Sequence, residues 1–208
     1  MKKTDYRNLL LTATPAEKWN QIYQERLLQT RVQPPAQVLA DCAHLLPASG
    51  RALDLACGRG GNAMFLAEHG LQTWAWDISE TVLEQLTAQV TRAGLKLHTD
   101  VKDIENTELP VACFEVIVVS FFLNRSICES IIKMLTSDGL LFYQTYTVDA
   151  LKAGIGPTNP DYLLHPNELI KLFDGLQLHA YREDCLIPEA HKNNLQGQAY
   201  LVARKIDS

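Results

Sequence analysis

Apolar positions along this chain follow two different periods, and the switch between them marks the elements. In PAEKWNQIYQERLLQ, Trp19, Ile22, Tyr23 and Leu27 recur at helical spacing, and PPAQVLADCAHLL opens a second helix whose prolines suit its first turn. Beyond Gly50 short apolar runs take over. RALDLA reads as a strand, GNAMFLAEHG as a helix stopped by Gly70, QTWAWD as a strand, and SETVLEQLTAQVTRAG as a helix with Ser79 as N-cap and Gly94 at its end. A short strand near KLHT, a loop through ENTELP, the apolar strand EVIVVSFF, the helix SICESIIKMLTSDG and the strand LLFYQTYT follow. The tail reads as helix PNELIKLFDG, strand LQLHAYRED and final strand GQAYLVARK. Apolar strands separated by amphipathic helices predict an α/β fold: a mostly parallel sheet covered on both faces, a three-layer sandwich. Two closing strands with no helix between them predict an antiparallel hairpin on one sheet edge. The chain reads as a single domain, with N-terminal helices over residues 1–46 placed to act as a lid and the core over 51–208.

Composition narrows the classes of partner. At 208 residues, 47% hydrophobic and 21% charged, the chain has the make-up of one compact domain. A net charge of -5, with Lys and Arg scattered along the chain, offers no basic stripe for a phosphate backbone, so no nucleic-acid partner is expected. Cys42, Cys57, Cys113, Cys128 and Cys185 are odd in number and form no C-x-x-C pair, which predicts reduced thiols in a cytoplasmic protein and no metal site. The opening MKKTDYRNLLLTATPAEKW has too brief an apolar stretch for a signal segment, so no export is expected. The longest apolar run, Val116 to Leu123, is far short of the roughly 18 residues that span a bilayer, and reads as a buried strand. No membrane partner is expected, and the sequence assigns no oligomeric state.

The densest local signal is LDLACGRGGNAMFL, an apolar strand that runs through Gly58, Gly60 and Gly61 directly into a helix. Such glycines let a ligand approach the backbone. The letters also fit G-x-G-x-x-A with Ala63 in the last place, as a dinucleotide site would, or a tight turn without a ligand. Three acids sharpen the reading. Asp54 lies in the first strand, Asp77 ends the second, and Asp103 follows the third, so a parallel sheet delivers all three to its carboxyl edge, where open α/β sheets bind ligands. Asp77 suits a ribose diol, whose two hydroxyls donate to a carboxylate that only accepts. Asp54 beside the glycines repels pyrophosphate and favours a nucleoside that carries positive charge. Asp103 can accept from an adenine amino group, Ile104 can offer its N–H to the ring, and Ile78 can lie against the ring face. The plain alternatives are a buried Asp54 capping loop amides, Asp77 as a helix N-terminal acid beside Ser79, and Asp103 as a solvated loop charge. Arg59 can pair with a carboxylate or equally with a phosphate.

LDLACGRGG, WDIS, VKDI and DGLLFYQTY, in this order, resemble the class I S-adenosylmethionine-dependent methyltransferases from about Trp19 onward. KWNQIY, ACG, LNRS, LLHPNEL and AYLVARK are most similar to the tellurite-resistance and related small-molecule methyltransferase group. The resemblance implies a Rossmann-like seven-stranded sheet with its last strand antiparallel, S-adenosylmethionine as cofactor, S-adenosylhomocysteine as product, and a small-molecule acceptor. Carried over by position, Asp54, Gly58 and Gly60 match the methionine-end loop, with Ala56 and Asn62 in the same cofactor set. Asp77 matches the ribose acid and Asp103 the adenine acid, with Ile78 and Ile104 beside the base. Ser120 and Phe121 match the end of the fourth strand, where cofactor and substrate meet. Two positions depart from the pattern: Gly61 stands where relatives commonly carry Arg before the loop Asn, and His165 where many carry Arg before PNEL.

Methyl transfer from a sulfonium is mainly a matter of positioning, and a base is needed only for an acceptor protonated at neutral pH. Tyr23, Arg125, Tyr146 and His165 are the candidate acceptor-site groups, with Trp19 beside Tyr23 on a helix able to cover the site. Two other classes share the glycine signature. One is an NAD(P)-binding Rossmann oxidoreductase, against which the lack of an evident catalytic pair counts. The other is a non-catalytic S-adenosylmethionine-binding regulator.

Overall fold

A computed structural model describes residues 13–25, 33–184 and 195–206. Leu27 of the expected first helix, Cys185 and most of the opening stretch lie outside the described residues. Helix α1 spans Pro15–Glu25 and α2 Gln37–Cys42. The core then runs β1 (Arg51–Leu55), α3 (Gly61–Glu68), β2 (Gln72–Asp77), α4 (Glu80–Ala93), β3 (Leu97–Val101), β4 (Phe114–Ser120), α5 (Cys128–Met134), β5 (Leu135–Tyr146), α6 (Asp149–Ala153), α7 (Glu168–Leu172), β6 (Gln177–Asp184) and β7 (Gln198–Arg204).

These strands form one seven-stranded sheet in the order β3-β2-β1-β4-β5-β7-β6. All neighbours are parallel except that β7 runs antiparallel to both β5 and β6. The closing hairpin exists, with its second strand inserted against β5 and its first strand outermost. Alternation along the central strands explains the three layers. Leu53, Leu55, Ile117, Val119, Leu141 and Tyr143 point to one face and are covered by Ile131 and Met134 of α5, Leu169 of α7 and Phe173 just past it. Ala52, Val116, Val118 and Phe142 point to the other, under Val38, Leu39 and Cys42 of α2 and Leu66 of α3. With both faces dry, neither can tolerate a polar alternation, which is why these strands read as continuous apolar runs.

Helix α4 is bounded as its sequence predicts: the Ser79 hydroxyl accepts from Val82 N–H at 3.3 Å, and Gly94 takes φ 69° at the far end. The predicted helix SICESIIKMLTSDG is shorter, ending at Met134. Leu135 already pairs with Phe114, Thr136 to Gly139 loop out with Asp138 at φ 62°, and Leu140 resumes the ladder opposite Val116. The turn residues Ser137, Asp138 and Gly139 thus serve a strand irregularity rather than a helix end. Helix α6 had no counterpart in the sequence reading. Among the described residues no helix is long and apolar enough to cross a membrane.

Candidate functional site

The carboxyl ends of β1, β2 and β4 meet at one corner. Leu55 pairs with Trp76 on one side and Val119 on the other, so Ala56 leaves the sheet between Asp77 and Ser120. The chain turns there through positive φ at Ala56 (53°), Gly58 (51°) and Gly60 (74°). Close approach adds to the demand for glycine: a Cβ on Gly60 would stand 2.3 Å from Leu86 Cδ1, and one on Gly61 2.6 Å from the carbonyl oxygens of Gln33 and Pro34. The second contact gives the physical reason that Gly61 carries no larger side chain.

Asp54 is fully buried beneath this turn. Its Oδ1 accepts from Asn62 Nδ2 at 3.2 Å and its Oδ2 from Ala63 N–H at 3.0 Å, so its oxygens face the loop and the first turn of α3. Burial pushes its pKa up to about 8, and nearby Asp77 adds to the rise, against the lowering hydrogen bonds from Asn62 and Ala63. Asn62 ties three segments together: besides Asp54, its Nδ2 donates to Ser120 Oγ at 2.9 Å and its Oδ1 accepts from Ala36 N–H at 2.8 Å. Asp77 sits at the mouth of the corner, 7% exposed. Its Oδ2 accepts from Gly58 N–H at 2.8 Å and its Oδ1 from Ser79 N–H at 2.9 Å. Burial raises its pKa too, opposed by the amides of Ser79, Gly58 and Ile78.

Beyond β3, Asp103 forms a local turn, accepting from Glu105 N–H at 3.1 Å and Asn106 Nδ2 at 2.9 Å. Ile104 is buried in the core and Ile78 is half-buried. Helix α1 has no fully buried residue, yet it lies across α4 at the corner. Asn20 Oδ1 accepts from the Ser79 hydroxyl at 2.6 Å and from Thr81 N–H at 3.3 Å. The Tyr23 hydroxyl stands over Gly58, 2.9 Å from where a Cβ would be, and Trp19 lies 5.9 Å from the Tyr23 ring. Asn20 was not singled out from the sequence. Its only signal was a polar side chain inside KWNQIY, one residue from Trp19.

The ends of β4 and β5 make the neighbouring wall. Phe121 follows Ser120 in a left-handed conformation, φ 55°, its N–H bonded to Gln144 O at 2.8 Å and 45% of its surface exposed. Its ring lies 5.2 Å from that of Tyr146. Gln144 was also missed; buried within β5, it accepts from Val38 N–H at 2.8 Å and donates to Gln198 Oε1 at 2.7 Å, and a lone glutamine in FYQTY was its signal. Arg125 is put to structural use: Nε and Nη2 donate to the Glu168 carboxylate at 2.7 and 2.9 Å, and Nη1 and Nη2 to the carbonyls of Asp161 and Leu163. The His165 side chain is exposed, and the His165 backbone N–H donates to Glu168 Oε2 at 2.7 Å. The structure therefore gathers Asp54, Ala56, Gly58, Gly60, Asn62, Asp77, Ser120 and Tyr23 at one corner, sets Phe121 and Tyr146 beside it, and engages Arg125 in a loop brace.

Comparison with known proteins agrees with this arrangement. A family model described as a methyltransferase domain matches residues 52–139, the stretch holding β1 through the bulge of β5. A curated relative from Haemophilus influenzae, described as "Probable S-adenosyl-L-methionine-dependent methyltransferase TehB", is 25% identical over 197 residues, covering 88% of this chain. The chain spans 64% of the length of that relative. The crystal structure of TehB from Haemophilus influenzae superposes with a TM-score of 0.66 at 20% identity, covering 85% of this chain and 64% of that one. A structure described as a SAM-dependent methyltransferase from Methanosarcina mazei gives 0.65 at 15% identity, covering 85% of this chain and all of the other (100%). Residues 52–139 are thus similar to a methyltransferase domain, and the seven-stranded sheet with its reversed β7 is the fold shared with these solved structures.

Proposed function

We propose that this protein transfers a methyl group from S-adenosylmethionine to a small-molecule acceptor. The observation that carries the reading is the bond from Gly58 N–H to Asp77 Oδ2 at 2.8 Å. A dinucleotide site uses loop amides such as this one to cradle pyrophosphate. Here the Asp77 carboxylate already occupies it, so the corner presents negative charge and suits a cationic nucleoside without phosphates. The same observation disfavours the oxidoreductase.

The residues present fit that cofactor. Asp77 would take the ribose hydroxyls with its remaining lone pairs, Asp103, Ile78 and Ile104 the adenine side, and the Ala56 to Gly60 turn the methionine end. When bound, the cofactor supplies a methyl carbon that accepts the acceptor's lone pair while the carbon–sulfur bonding pair passes to sulfur, giving S-adenosylhomocysteine. The chain's own part is orientation and exclusion of water. Tyr23 and α1 act as the cover, latched by Asn20 onto Ser79. Tyr146 works as a neutral hydrogen-bond donor, because burial raises its pKa further above neutrality. Its part is to orient an acceptor that already presents a lone pair.

Calorimetry with S-adenosylhomocysteine tests the reading. The wild-type protein should bind it and ignore NADH, and Asp77→Ala should lose about 1.5–3 kcal/mol, the scale of hydrogen bonds to a charged group. Because Asp77 also braces Gly58, Asp77→Asn serves as control for the loop. Undiminished binding in a folded Asp77→Ala protein refutes the ribose assignment. Turnover is then read as S-adenosylhomocysteine release across acceptor panels, and its absence there with every acceptor favours the regulator.

A further inference from the structure

We propose that Phe121 and Tyr146 form the seat of the methyl acceptor and select a flat, uncharged aromatic molecule over an oxyanion. The inference rests on the methyl-transfer reading and names the substrate class of that site. Its first support is position. Phe121 directly follows Ser120, whose hydroxyl is bonded to Asn62 and through it to Asp54, so the ring stands at the lip of the glycine corner.

Its second support is what the fold tolerates to keep the ring there. A phenylalanine at φ 55° holds a strained, left-handed backbone, and such strain clusters where a side chain must be aimed. Nearly half of this ring is left in water. The adjoining Tyr146 ring, tilted by 37°, is half-buried against Gly156, where an added Cβ would stand 2.7 Å from its Cδ1 at φ 71°. Only glycine lets the loop lie so close. Among the described residues the Tyr146 hydroxyl has no hydrogen-bond partner, and the same loop exposes Leu151 and Ile155. The result is an apolar, aromatic wall with one spare hydroxyl, the usual make-up of a small-molecule site.

Its third support is charge. Among the described residues, the Arg and Lys side chains on the loops that frame this wall are paired: Arg125 with Glu168 at 2.7 Å and Lys152 with Asp149 at 2.7 Å. Among the described residues an oxyanion would meet no uncommitted guanidinium on these loops, whereas a ring with one heteroatom can stack on Phe121 and reach the Tyr146 hydroxyl.

The test uses the full chain with 2-naphthol as aromatic probe, selenite as oxyanion probe and S-adenosylhomocysteine as cofactor probe, all by calorimetry. Phe121→Gly is the informative variant, because glycine adopts this backbone without strain. Its melting temperature should hold or rise, and its 2-naphthol affinity should fall about tenfold, the scale of one good aromatic contact. Tyr146→Phe should weaken 2-naphthol severalfold while leaving naphthalene unchanged. The proposal is overturned by a wild-type protein blind to 2-naphthol, by selenite displacing it, by Phe121→Gly binding it as well as wild type, or by Phe121→Gly losing stability. If wild type takes 2-naphthol in a Phe121-dependent way but never binds S-adenosylhomocysteine, the aromatic seat stands and the methyl-transfer reading fails.

Discussion

Replacing Asn62 with alanine removes a side chain that joins β1, β4 and the segment entering α2. Asn62 is 5% exposed and makes three bonds, to Ala36 N–H, Asp54 Oδ1 and Ser120 Oγ. Ser120 is half-buried and can turn its hydroxyl to water, so its loss is small. The other two partners are buried, and each orphaned group costs about 1–3 kcal/mol. Alanine returns up to about 0.7 kcal/mol as the better helix former within α3. The net expectation is a loss near 3 kcal/mol, or roughly 6–12 °C in melting temperature for a domain of this size. Urea unfolding followed by circular dichroism at neutral pH measures it, and calorimetry with S-adenosylhomocysteine should show weakened binding as the corner loosens. Asn62→Asp separates packing from charge: it keeps an acceptor for Ala36 but sets a second carboxyl where a donor now faces Asp54, and should be no more stable than Asn62→Ala at alkaline pH. A loss below about 1 kcal/mol with unaltered cofactor affinity would show that these bonds do not hold the corner, and the reasoning from buried partners would fail.

Gly60→Ala should be worse than an ordinary loop substitution, since φ 74° and a contact at 2.3 Å with fully buried Leu86 leave the new methyl no room. A loss of at least about 3 kcal/mol, the scale of overpacking plus backbone strain, is expected by denaturant titration, and a variant as stable as wild type would show that the turn is not held against Leu86. Asp54 predicts a pH dependence with a defined sign. Its folded pKa of about 8 lies above its ordinary value of 3.8, so its contribution is fully present below about 3.8, falls as pH rises, and levels off above about 8. The stability of Asp54→Asn relative to wild type should therefore climb between pH 5 and 8 and then flatten, and parallel stability curves for the two proteins would contradict the buried, uncharged Asp54.

What could be seen in advance, and what could not, divides along the range of the interactions. The switch from helical to apolar-run periodicity, the Ser79 cap, the Gly94 stop and the glycine corner are all set within a few residues, and local patterns report them. The helix over Leu135 to Gly139 was misplaced because Ser-Asp-Gly ends a helix or shapes a strand irregularity equally well, and only pairing of Leu135 with distant Phe114 decides between them. Arg125 looked available because its four hydrogen-bond contacts to Glu168, Asp161 and Leu163 come from far along the chain. The acids show the same division at the site itself. That Asp54 and Asp77 reach one sheet edge follows from strand ends; where their oxygens point does not. Asp54 looks to Asn62 and the start of α3, while Asp77 turns to Gly58 N–H. The letters G-x-G-x-x-A are compatible with an open cradle of amides for pyrophosphate and with a corner whose amide is already held by a carboxylate. The two call for ligands of opposite charge, so the discriminating fact is one hydrogen bond between residues on adjacent strand ends, and the choice between a phosphate-bearing and a phosphate-free nucleoside rests on it.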